Sequence, residues 1–176
     1  MLIPVLFALI FPLSLLWAAG NDIATMVIPN RLNMILAAGF LPAALLLHLP
    51  WLDLHTHNDI LTHVGIALIA LIVGMTLFFF RFMGGGDVKL IAATSLWLGI
   101  EGGIALMIYT ALVGGALTLG ILVLRKFFWG IAHKMPKWML QHFEPKGDIP
   151  YGIAICIGGL LAIPRSDLWD LLTASF

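Results

Sequence analysis

Met83-Gly84-Gly85-Gly86-Asp87-Val88-Lys89 interrupts two long apolar stretches, one over residues 60–80 and one that begins at Val88. The acid follows three glycines at the edge of an apolar run. An ionisable side chain at a membrane boundary is costly to keep, which makes Asp87 a functional candidate. Working outward, the rest of the chain has the same character. Apolar residues make up 61% of the 176 residues and charged residues 10%, against ~25% charged in soluble domains. The expectation is an all-α integral membrane protein, a single domain over residues 1–176, with spans of ~20 residues each. The net charge of zero offers no field to recruit nucleic acid, so none is expected as a partner. Cys156 is the lone cysteine. It rules out an internal disulfide or a Cys-x-x-Cys metal site within this sequence and reads as a small buried hydrophobe.

Six apolar segments are legible, over residues 2–19, 32–51, 60–80, 88–100, 103–124 and 150–164, so about six transmembrane helices are expected. The first lacks a basic stretch before it and ends in Trp17-Ala18-Ala19, where a cleaved signal would want small residues. It is read as a retained span. Glycines within the spans point to general small-residue packing; Gly115 and Gly120 are not spaced as a GxxxG pair. Alternating the connections places Arg31, Arg81, Lys89, Arg125, Lys126, Lys134, Lys137 and Lys146 on one side, with Arg165 opposite. The positive-inside rule makes the first side cytoplasmic. Asp22, which follows the first apolar segment, falls on the same side as Asp87.

Two carboxylates ~3 Å apart cannot both ionise readily, so such a pair shares a proton. One member can then activate water while the other polarises a carbonyl. The plainer reading of Asp87 alone is an N-cap for a helix starting at Val88; that of Asp22 alone is a solvated interfacial acid. Glycines before Asp87 would allow a left-handed backbone or a close approach.

Gly84-Gly85-Gly86-Asp87 satisfies a Gly-x-Gly-Asp pattern, and Val88-Lys89-Leu90 continues it. Here the chain resembles the type IV prepilin peptidases, membrane aspartyl proteases of the GxGD type. Asp22 with Ile28-Pro29-Asn30, and Asp148-Ile149-Pro150-Tyr151-Gly152-Ile153-Ala154, are similar to two further stretches of that family, in the same order. The resemblance implies that Asp22 and Asp87 are the catalytic pair, that Gly84 and Gly86 shape the site, and that Lys89, Pro29 and Asn30 belong to its motifs. It implies cleavage of the basic leader from prepilin-like precursors at the cytoplasmic face, with no metal or organic cofactor. Longer relatives also N-methylate the new terminus and carry paired cysteines. This sequence resembles the short, peptidase-only branch of the tight-adherence (Flp-type) or preflagellin kind, in the cell's inner membrane. Residues 23–27, where many short relatives are basic, are uncharged here.

Other features read more plainly. His48, Asp53, His55, His57, Asp59 and His63 cluster around the second connection, opposite the acids, and are read as a solvated polar loop rather than a metal site. In residues 125–149, Arg125, Lys126, Lys134, Lys137 and Lys146 outweigh Glu144 and Asp148 among Phe127, Phe128, Trp129, Trp138 and Phe143. That mixture suits an interfacial segment on anionic lipid. Pro29 and Pro150 are placed to start helices, and Tyr151 reads as an interfacial anchor. The rival reading is a small proton- or cation-coupled transporter subunit that uses the same acids. A non-catalytic assembly subunit would need no paired acids at all.

Overall fold

The computed structural model describes residues 2–47, 60–128 and 149–169. These residues are almost entirely helical, and there is no strand among them. The His and Asp residues at 48–59, and the connection at 129–148, lie outside the described residues.

Helix α1 spans Leu2–Thr25, with Pro12 inside it. The sequence suggested a span ending near residue 19, with Asp22 beyond it. The helix instead runs on, and Asp22 lies in its last turn. Polar residues can continue the helix because they bond back along it: Asn21 Nδ2 donates to the Trp17 carbonyl at 3.1 Å, and Thr25 Oγ1 to that of Asn21 at 2.9 Å. Met26 then ends it in the left-handed region (φ 55°), its N–H donating to the Asp22 carbonyl at 2.9 Å. That is the single-bond cap usually built on glycine.

Helix α2 spans Asn30–Leu47. Pro29 stands directly before it, and its carbonyl accepts from the N–H groups of Leu32 and Asn33. Helix α3 spans Ile60–Phe79. It ends on a two-bond cap: Phe82 N–H donates to the Leu77 carbonyl and Arg81 N–H to that of Phe78, both at 2.9 Å. Arg81 takes the left-handed position, φ 62°, which most helices give to glycine.

Helix α4, Gly85–Phe128, is broken at Gly99, whose φ of 66° and ψ of −163° are not helical. An L side chain is strained there. Residues eight apart on a straight helix are separated by ~12 Å of rise. Yet a methyl group placed on Gly103 would lie 3.8 Å from Ser95 Cβ. The chain therefore doubles back at Gly99, leaving a first arm (residues 85–98) and a second arm (residues 100–128). This break corresponds to the division between the fourth and fifth apolar segments of the sequence. Helix α5, Tyr151–Ala162, starts directly after Pro150 and continues into a 3₁₀ turn, Ile163–Arg165.

Helix α5 packs against both α1 and α4, and glycines set how closely. A side chain on Gly158 would collide with Thr110 of the second arm, and one on Gly159 would come 2.7 Å from Leu15 Cδ1. Trp97 ties the first arm to α2: its indole N–H donates to the Leu36 carbonyl at 2.7 Å, and its ring packs near Phe11 and Phe40. Leu68, Ile72 and Met75 of α3 and Leu112 and Leu119 of the second arm face outward. Such a surface suits lipid, where helices keep their backbone groups bonded internally. Among the described residues, α1, α3 and α4 are long and apolar enough to cross a membrane.

His63 corrects one expectation. It is not solvated but buried, 3% exposed, as is Asp167 at 2%. Its Nδ1–H donates to the Leu96 carbonyl at 2.8 Å, and its Nε2 lies within hydrogen-bond distance, 3.0 Å, of Asp167 Oδ2. A buried polar group needs such partners. The pair joins α3, the first arm of α4 and the segment after α5, at the end of the bundle where Gly99 turns.

Candidate active site

The end of the bundle away from Gly99 holds the last turn of α1, the end of α3, and the starts of α4 and α5. These surround a cavity of about 570 Å³ whose walls include Asp22, Met26, Phe78, Arg81, Met83, Gly84, Asp87 and Tyr151. Two acids from distant parts of the chain thus face one cavity, and they interact electrostatically across it.

Asp22 is 5% exposed and is oriented from α5. The Gly152 N–H donates to its Oδ2 at 2.6 Å. That amide is one of the four at a helix N-terminus that have no partner within the helix, and an anion suits the positive end of the helix dipole. Pro150 supplies no side-chain cap to α5, so the cap comes from α1. Gly152 must be glycine for this approach: a Cβ there would lie 2.8 Å from both Cβ and Oδ2 of Asp22.

Asp87 lies in the first turn of α4. The helix begins before Val88, so Asp87 is the third residue within it and not the N-cap that the residue taken alone suggested. Its carboxylate reaches back to the backbone of Gly84, as the acid of a capping box does. Gly84 and Gly86 serve close approach, not a left-handed turn. A Cβ on Gly84 would sit 2.9 Å from Asp87 Oδ2, and one on Gly86 would sit 3.1 Å from Ile28 Cβ. Among the described residues, the positive φ values near the site belong to Met26 and Arg81 instead. Both line the cavity. Non-glycine residues held in that region store ~1–3 kcal/mol of strain each.

Lys89, Asn30 and Pro29 are not among the cavity walls. Lys89 Nζ donates to Asn30 Oδ1 at 2.8 Å, and Asn33 Nδ2 donates to the Gly86 carbonyl at 3.4 Å. Together these bonds fasten the start of α2 to the start of α4. Tyr151 lines the cavity rather than only marking an interface, and its hydroxyl lies 3.4 Å from Thr118 Oγ1. Sequence reading passed over Tyr151 and Gly152 as site residues. The available signal was a glycine two residues after Pro150, where a helix presents bare amides.

The chemistry available here is that of two carboxylates opening onto a space large enough for a peptide segment, in an all-α membrane protein. A family model described as the type IV leader peptidase family matches residues 9–119, and the chain belongs to that family. It is a membrane protein of the leader-peptidase kind, a protease. No curated protein and no solved structure matches it significantly. The matched residues contain Asp22, Gly84, Gly86 and Asp87; Gly152 lies outside the match.

Proposed function

We propose that the chain is an aspartyl endopeptidase that removes the basic leader of type IV prepilin-like precursors, with Asp22 and Asp87 as its catalytic pair. One observation carries this reading: the two acids, far apart in sequence, line a single cavity. With one proton between them, the ionised carboxylate takes a proton from water as the water attacks the scissile carbonyl. The protonated one donates to the carbonyl oxygen. In collapse of the tetrahedral intermediate, a proton passes to the leaving amine and the C–N bond breaks. No metal or organic cofactor takes part. The basic residues that flank this end of the bundle favour a cytoplasmic active site in the inner membrane. The single cysteine of the sequence favours peptidase action without N-methylation, on Flp-type precursors. A transport site is expected near the bilayer midplane, whereas Asp22 and Asp87 stand at helix ends.

The test is Asp22→Asn and Asp87→Asn, each co-expressed with a leader-bearing precursor. Each variant is expected to leave the precursor uncut while the protein still inserts in the membrane. Cleavage that persists in either variant removes the pair as the catalytic machinery.

A further inference from the structure

Lys89 follows Asp87 by two residues yet faces elsewhere. It lines a separate groove of about 550 Å³ between α2, α3 and the first arm of α4. The mouth of this groove is polar: Lys89 Nζ on Asn30 Oδ1, with Asn33 beneath. Asn33 is 6% exposed, its amide donates to the Gly86 carbonyl, and its Oδ1 has no partner among the described residues. Beyond the mouth the walls are apolar, including Ala37, Leu68, Leu71 and Ala92. Among the described residues that line it, Lys89 carries the only full charge. A cation at one end of an apolar slot matches an anionic headgroup followed by a hydrocarbon chain.

We propose that this groove is a binding site for an anionic phospholipid of the phosphatidylglycerol type. The phosphate meets Lys89 at the polar mouth, and one acyl chain lies between α2 and α3. Charge complementarity at the mouth selects this occupant over a neutral lipid. The site lies on the opposite side of the first turn of α4 from the two acids and does not rest on the peptidase reading.

The full chain, reconstituted in nanodiscs of phosphatidylglycerol and phosphatidylcholine, is released for native mass spectrometry without any substrate. Retention of phosphatidylglycerol over phosphatidylcholine by about fivefold is expected, the factor appropriate to one basic residue near anionic lipid. Lys89→Gln is expected to bring the two lipids to parity, Lys89→Arg to restore the preference, and Lys126→Gln to leave it intact. Ala92→Phe, which fills the groove, is expected to lower retention with Lys89 still present. Three results would each overturn the proposal. One is a wild-type chain without lipid preference. Another is a full preference in Lys89→Gln, and the third is displacement of the lipid by millimolar inorganic phosphate, which has no acyl chain. Helical content measured on every variant separates lost binding from lost folding.

Discussion

At Gly152 the absence of a side chain lets one backbone amide hold Asp22. Gly152→Ala would put a methyl group 2.8 Å from Asp22 Oδ2, and the carboxylate would have to move. Displacements of ~1 Å at a reacting group cost about 100-fold in rate. We therefore expect Gly152→Ala to slow leader cleavage in proteoliposomes about 100-fold while helical content stays near wild type. Gly84→Ala should act similarly through Asp87 Oδ2, 2.9 Å from the added carbon. Gly115→Ala is the control, because no atom of the described residues lies within 4 Å of a Cβ at that position. An equal loss in all three would point to general packing and not to the acids. Sequence reading found the two acids and the motif glycines, since both are local patterns. It could not find the Gly152 amide, whose relation to Asp22 exists only after α5 has packed on α1.

For the helices, two kinds of backbone position carry testable strain. Gly99 turns α4 back on itself at a φ of 66°. Gly99→Ala should cost about 1–3 kcal/mol, read as a lower midpoint of thermal unfolding in detergent. Met26 is the opposite case, a side chain at a position that suits glycine. Met26→Gly should stabilise by about 1 kcal/mol through relief of the left-handed backbone, read in the same assay; a lower midpoint would refute the strain assignment. The six apolar segments of the sequence correspond closely to α1, α2, α3, the two arms of α4, and α5 with its 3₁₀ turn. Hydropathy marks where a chain is apolar but is indifferent to caps. Hence the extension of α1 through Asp22 and the start of α4 before Asp87 were not legible.

The whole molecule is clasped at the end away from the cavity by His63 and Asp167. Asp167→Ala would leave the His63 ring nitrogen buried without its partner, a change that costs about 3–5 kcal/mol when the pair is ionic. We expect His63→Ala combined with Asp167→Ala to be less destabilising than the sum of the single changes, as a double-mutant cycle would show. Additive losses would mean the two residues act separately. Topology is tested at the same scale. In a Cys156→Ser background, Arg31→Cys and Glu101→Cys, both exposed and at opposite ends of the bundle, should react with an impermeant thiol reagent from opposite sides of the membrane. Labelling from the same side would refute the proposed orientation.

By itself the amino-acid sequence determined the membrane class, the positions of the apolar segments, the asymmetry of the basic residues and the two lone acids that line one cavity. Each follows from composition or from residues near one another in the chain. Tertiary structure alone decided that Asp22 takes its hydrogen bond from α5, that Lys89 faces a different groove from Asp87, and that His63 is buried instead of solvated. It also decided that Met26 and Arg81, not the glycines before Asp87, adopt the left-handed backbone. The physical reason is common to the first three. Apolar character is a sum over neighbouring residues, whereas the partner of a polar group in a helical bundle depends on how closely distant helices pack. In this chain that closeness rests on the glycines of α4 and α5, whose contacts lie far away in the sequence.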